Sequence, residues 1–398
     1  MIFTLIFTNA KLLDLCYYIV MNQTIVALIR PNLNLAQRES QAAHVIEHIL
    51  LAPKRLEQMG ITAEFYSENI ITDNGNVDDF YMVEYYVVRS DVANQIANIL
   101  KQYSGELFCN REDFERIKST VLAEVSGNKG EFIDLGEQFT RAAFRKDSPS
   151  NRNPWNDLES IENLTYEQML EIFQKYNTDI AVLEMSYDNC ILSNLPKIES
   201  NFLIESKKIL NLTHPWQSLN SLETVQIVPA LPNASYFTDL LYRCSLEDFR
   251  FGLLFEELRN KLGLVYEISI NVNYDCQNYI EMIFSSNEED SDKVLNAIEQ
   301  ALENYEQFIM AKLDYIRNRM IMNYELDWGD IQNNAMGNID RVISAGITIS
   351  PREMAETFEK ITIDELVAYN KLFLDSLKNN SIKIKRRFGK EVSSIEAI

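Results

Sequence analysis

Two of the three histidines in this chain stand four residues apart with a glutamate between them, as His44-Val45-Ile46-Glu47-His48. Four residues is just over one turn of an α-helix, so both imidazoles leave one face and can reach the same ion, with Glu47 beside them. Two imidazoles plus a carboxylate suit zinc, and a catalytic zinc keeps a fourth position open to water. The metal lowers the pKa of water toward ~7, and a neighbouring glutamate can then take the proton. The order is the inverted form of H-E-x-x-H, a catalytic zinc pattern. With so few histidines, chance would produce this string roughly 0.002 times in such a chain. The pattern lies in a stretch of helical periodicity, Ala36 to Met59, broken at Pro53 and stopped by Gly60.

The remaining composition narrows the setting. Lys and Arg number 37 against 59 Asp and Glu, a net charge of −22. Such a chain repels phosphate backbones and anionic membranes, which excludes general nucleic-acid binding; its acidity serves solubility in the plainer reading and attraction of cationic peptides in the sharper one. Five scattered cysteines, an odd number without C-x-x-C, argue for a reducing compartment and against both a disulfide framework and a cysteine zinc site. The start, Met1 to Phe7, lacks the basic region and cleavage site of a signal peptide, and no window is apolar for the ~20 residues a membrane span needs. A cytoplasmic protein is expected.

A length of 398 residues predicts two domains. Strands are expected at Ile2–Phe7, Cys16–Met21, Thr24–Ile29, Phe80–Val88 and Ile180–Met185. Helices are expected at Val92–Tyr103, Glu112–Val125 and Tyr166–Tyr176, with a loop at Lys146–Asn156. The order then recurs: a strand at 235–241, a helix at 246–262, strands at 264–274 and 277–285, and long helices from about 289. Leu164-Thr165-Tyr166-Glu167-Gln168 and Ile361-Thr362-Ile363-Asp364-Glu365 open helices with the same capping-box pattern, almost half the chain apart. The reading is a duplicated α+β fold, each half a mixed β-sheet with helices packed on one face. The expected domains are residues 1–205, with the histidine pattern, and 206–398.

A third protein ligand is needed. The helix at 112–125 offers Glu112, Glu115 and Glu124. Glu112 and Glu115 fall among charged residues, whereas Glu124 follows Val121, Leu122 and Ala123, an apolar surround that makes an unpaired carboxylate costly. Composition favours Glu124 without deciding the matter.

At this point the sequence resembles the pitrilysin/insulysin-type zinc metallopeptidases, which include the mitochondrial processing peptidase. Their inverted pattern appears as His44 to His48, preceded by Ala43. Their third ligand is a glutamate some 76 residues past the second histidine, in a helix reading F-E-x-E-K-x-V-V-L-x-E. Glu124 holds that place within Phe114-Glu115-Arg116-Ile117-Lys118-Ser119-Thr120-Val121-Leu122-Ala123-Glu124. A second signature, R-x-x-x-G-L-x-Y, appears as Arg259-Asn260-Lys261-Leu262-Gly263-Leu264-Val265-Tyr266. The resemblance implies one zinc per chain held by His44, His48 and Glu124, with Glu47 as general base and Arg259 and Tyr266 as substrate contacts. It also implies a peptide substrate and a homodimer or a heterodimer with a related chain.

Some positions depart from the family pattern. Ile117 stands where a second glutamate is frequent, and Gln41-Ala42 replaces a glycine. The glycine-rich stretch leading into N-A-x-T is missing; Asn74-Gly75 or Asn76 corresponds to its start, on an expected edge strand where a peptide adds by β-augmentation. The rival readings are a non-catalytic peptide-binding subunit of the same fold and a zinc hydrolase acting on small molecules.

Overall fold

The computed structural model describes residues 22–31, 37–77, 81–127, 154–193, 195, 210–212, 221–229, 235–273, 279–346, 348–379, 381–388 and 393–397. The apolar segments Ile2–Phe7 and Cys16–Met21, and also His214, lie outside the described residues. The described residues within Met1–Ala142, Asp147–Glu199 and Tyr324–Glu353 form one compact unit, and those within Ser200–Asn323 and Met354–Ile398 form a second. A boundary at 205/206 therefore misassigns Tyr324–Glu353, which return to the first unit. Local periodicity cannot reveal that, because it records which face of a helix is apolar and not which sheet the face meets.

In the first unit β1 (Gln23–Pro31) is followed by α1 (Gln37–Leu50), α2 (Pro53–Gln58), α3 (Ala63–Asn69), β2 (Ile70–Val77) and β3 (Tyr81–Arg89). Then come α4 (Ala93–Gln102), α5 (Arg111–Gly127), α6 (Pro154–Glu162), α7 (Tyr166–Tyr176), β4 (Ala181–Met185) and β5 (Cys190–Leu192). The strands order as β2-β3-β1-β4-β5 with antiparallel pairing, which leaves β2 at an edge. On one face, Val45, Ile46, Ile49 and Leu50 of α1 pack with Met82, Phe114, Ile117, Val121, Met169 and Phe173. A neighbouring cluster seats Ile96, Ala97 and Leu100 of α4 on Val26, Leu28, Tyr86 and Val88.

The second unit contains β6 (Leu210–Leu212), β7 (Ser221–Pro229), α8 (Tyr236–Glu247), a π-helix (Phe255–Lys261), β8 (Ile268–Asn273), β9 (Tyr279–Ser286), α9 (Ser291–Glu303) and the first part of α10 (Tyr305–Gly329). After α11 (Ile331–Ala345), which belongs to the first unit, it closes with α12 (Pro351–Lys360), α13 (Ile363–Asn379), β10 (Ile382–Phe388) and β11 (Ser393–Ala397). Its strands order as β6-β11-β10-β7-β9-β8, again antiparallel. In the first unit, Met82, Tyr86 and Val88 of β3 meet the helices named above, and α11 also contacts β2 and β3. That is why β3 is buried from Tyr81 to Val88 and reads as a continuous apolar run.

The paired helix starts both form capping boxes. Thr165 Oγ1 accepts from Gln168 N at 3.3 Å and Thr362 Oγ1 from Glu365 N at 3.2 Å, with the return bond present in each. Three expectations fail. Residues 235–241 form the start of α8 and not a strand: Phe237, Leu240 and Leu241 recur at helical spacing, and all are buried. Nor is 246–262 one helix, because Asp248 Oδ1 accepts the backbone N–H groups of Arg250 and Phe251, turning the chain. Gly252 seals that turn, since a Cβ there would lie 2.5 Å from Asp248 N. Pro154–Asn156, expected as loop, open α6. No helix among the described residues is long and apolar enough to cross a membrane.

Candidate metal centre

α1 buries Ala42, Ala43, Val45, Ile46, Ile49 and Leu50, which leaves His44, Glu47 and His48 together on the remaining face, each half-buried. Pro53 starts the next helix at its first turn, where a missing N–H costs nothing, and Gly60 ends it at a φ of +85°. Opposite stands α5, begun by Asn110, whose side chain accepts Asp113 N–H at 2.9 Å. Phe114, Ile117 and Val121 form the stripe that packs α5 on α1. Glu124 continues it by one more step and meets the histidines.

The donor atoms converge. His44 Nε2 lies 3.8 Å from Glu124 Oε1, His48 Nε2 lies 3.3 Å from Glu124 Oε2, and the two imidazole centroids are 5.1 Å apart. One donor atom from each of the three residues falls within 4.8 Å of the others. Zinc bonds of ~2.0–2.1 Å in a tetrahedron put donors about 3.3 Å from one another, close to the two His–Glu separations, and two imidazoles with a carboxylate suit zinc chemically. Burial pushes the His44 imidazole down against the opposing pull of Glu124, favouring the neutral, ligating form. Burial, and then the charge of Glu124, push Glu47 up to about 7. Glu124 itself is 45% exposed, so the costly apolar burial expected for it is absent. What brings it to the histidines is its position on the packing stripe. Ile117 is buried in the seam between α5 and α1 and points its methyl groups into the core.

β2 runs beside this face. Its Gly75 pairs in register with Glu84 of β3, and a Cβ at position 75 would fall 2.5 Å from Glu47 Cγ. The sequence alone marked Gly75 only as one of two alignments and gave no sign of this contact. It also passed over Glu84, although a single carboxylate inside Phe80-Tyr81-Met82-Val83-Glu84-Tyr85-Tyr86-Val87-Val88 is itself a signal of a buried partner.

In the second unit, Arg259 and Tyr266 come together. The Arg259 guanidinium lies 4.5 Å from the Tyr266 ring centroid and 4.9 Å from that of Phe255. Arg259 sits on the π-helix, a wide turn that occurs mostly as short insertions, frequently at functional sites. Gly263, at a φ of +64°, ends it. Tyr266 precedes β8 by two residues and is 75% exposed, so the strand expected at 264–274 begins only after it.

No protein-family model and no curated protein sequence matches the chain. Solved structures do. A protease from Helicobacter pylori superposes with a TM-score of 0.59 at 12% identity, over 92% of this chain and 94% of that one. A peptidase M16 inactive domain from Pseudomonas fluorescens gives 0.54 at 14% identity, over 92% of each chain. A putative M16-like peptidase from Alicyclobacillus acidocaldarius gives 0.55 at 11%, over 91% of this chain and 92% of that one. The fold is that of M16-type peptidases, a class holding proteases and a domain described as inactive.

Proposed function

We propose that this protein is a zinc-dependent endopeptidase that cleaves short or unfolded peptides. One observation carries the reading: His44, His48 and Glu124 converge on one point, with Glu47 on the same helix face. Zinc in that place supplies a Lewis acid that polarises a peptide carbonyl and acidifies water. Glu47 then takes the proton of the attacking water and returns it to the leaving amine, a task suited to a carboxyl near pH 7. β2, at the sheet edge, offers backbone groups to an extended peptide. For Arg259 and Tyr266 the proposal is a substrate role, a cation for peptide carbonyl or carboxylate and a phenol donor for the developing oxyanion.

A second reading, a peptide-binding subunit without catalysis, draws support from the inactive domain that shares the fold. Metal analysis with a quenched-peptide assay separates the two. About one zinc per chain and cleavage are expected. Glu47→Gln is expected to keep the zinc and lose ~10²–10⁴ in rate. His48→Ala is expected to lose the metal. A wild-type chain that binds peptides and cleaves none across a broad library would favour the second reading; undiminished zinc in His48→Ala would overturn the site.

A further inference from the structure

Behind the metal-binding face, two arginines share one glutamate in the core of the first unit. Arg30, Arg55 and Glu84 are each at most 1% exposed. Arg55 Nη1 donates to Glu84 Oε1 at 2.5 Å, Arg30 Nη1 donates to Glu84 Oε2 at 3.2 Å, and Tyr86 Oη donates to Glu84 Oε1 at 3.0 Å. A buried ion cluster is weak evidence for stability, since apolar residues of equal volume often serve as well or better. Its other bonds are therefore the informative ones.

One of them, from Arg30 Nε to Asn177 Oδ1 at 3.4 Å, holds the end of α7, and the rest end on elements that support the metal site. Arg55 Nη1 donates at 2.7 Å to the carbonyl of Leu50, the last residue of α1, two positions past His48. That carbonyl is one of the orphan acceptors at a helix end. Glu84 lies in β3 opposite Gly75, the β2 residue that faces Glu47. Arg55 Nε reaches the carbonyl of Glu106 at 3.3 Å and Arg30 Nη2 that of Ser104 at 3.2 Å, both in the segment leading into α5, which carries Glu124. The end of α1, strand β3 and the segment entering the helix of Glu124 are thus tied to one cluster, and edge strand β2 lies beside it through the Gly75–Glu84 pairing.

We infer that the Arg30–Glu84–Arg55 cluster is a positioning device for the metal site, with Arg55 the positioning residue that fixes the end of α1 against β3, the strand that carries β2, and the entry to α5. The inference rests on the metallopeptidase reading for its purpose, and its test includes a readout that needs no metal. Supporting groups around metal ligands typically carry 10- to 100-fold in metal affinity, and misplacement by about 1 Å can cost 10²-fold in rate.

Arg55→Met is the informative variant, because it leaves Arg30 and Glu84 as a balanced pair, whereas Glu84→Gln would strand two buried cations. In the metal-free full chain, hydrogen exchange should quicken together in the last turn of α1, in β2 and at residues 104–110, with α4 unchanged. In the zinc-loaded chain, competition with a chromophoric chelator should show affinity weakened 10- to 100-fold, and kcat should fall with KM nearly constant. Arg55→Lys should recover part of each, since an ammonium reaches one acceptor but cannot fork between them. Ile96→Ala, a cavity in α4 at a fully buried position, controls for loss of stability alone. The inference is overturned if Arg55→Met keeps wild-type zinc affinity, if only residues 104–110 lose protection, or if Ile96→Ala weakens zinc equally. A wild-type chain without zinc would remove the metallopeptidase reading, and the exchange pattern would still decide whether the cluster pins the three elements.

Discussion

Gly75 stands directly against Glu47: a Cβ at position 75 would lie 2.5 Å from Glu47 Cγ and 2.7 Å from its Oε1. No side chain fits at 75 unless Glu47 moves. The edge strand can approach Glu47, the proposed general base, as closely as it does because this residue has no side chain.

Gly75→Ala is accordingly expected to push Glu47 aside and lower kcat about 10²-fold, the scale of a misplacement near 1 Å. Zinc content should stay at the wild-type level, because none of His44, His48 and Glu124 is touched. Steady-state kinetics beside metal analysis check this. A normal kcat would mean that Glu47 yields freely and that its position does not depend on Gly75.

Tyr266→Phe isolates one hydroxyl. The phenyl ring keeps its place under the Arg259 guanidinium, 4.5 Å from the centroid, while the donor is lost. Removing an oxyanion donor typically costs ~2.7–4 kcal/mol of barrier, so kcat should drop about 10²- to 10³-fold at constant zinc. Arg259→Ala should instead raise KM by removing the cation proposed to grip the peptide. A kcat/KM for Tyr266→Phe within about twofold of wild type would confine catalysis to the first unit.

Acid should loosen the first unit through Glu84. Burial alone would raise this carboxyl, but the charges of Arg55 and Arg30, with the hydrogen bonds from Arg55 and Tyr86, outweigh burial and hold it below its ordinary value of 4.5. A carboxyl depressed in the folded state contributes stability that is fully present above its unfolded pKa and is lost as pH falls through the folded one. Urea unfolding of wild type and Glu84→Gln should differ by roughly 3–5 kcal/mol at pH 7, and the gap should narrow as pH drops below about 4.5. A gap that is the same at pH 7 and pH 3.5 would show that the charge of Glu84 carries none of it.

What the sequence determined by itself was everything local in origin. Helical spacing put His44, Glu47 and His48 on one face, Thr165 and Thr362 announced their helix starts, and the aromatic run at β3 marked a strand. These follow from 3.6-residue and two-residue periodicity and from cap chemistry, which neighbours along the chain suffice to express. The distance from His48 to Glu124 was legible only through a family resemblance, since the burial argument for Glu124 was wrong: the residue is exposed and is aimed by the Ile117–Val121 stripe. Tertiary structure alone decided the rest. It brought Gly75 against Glu47, gathered Arg30, Arg55 and Glu84 from three separate segments, and returned Tyr324–Glu353 to the first unit. Each of those depends on which surfaces pack together across dozens of residues, and a buried cation or a missing side chain takes its meaning only from the atoms that come to surround it.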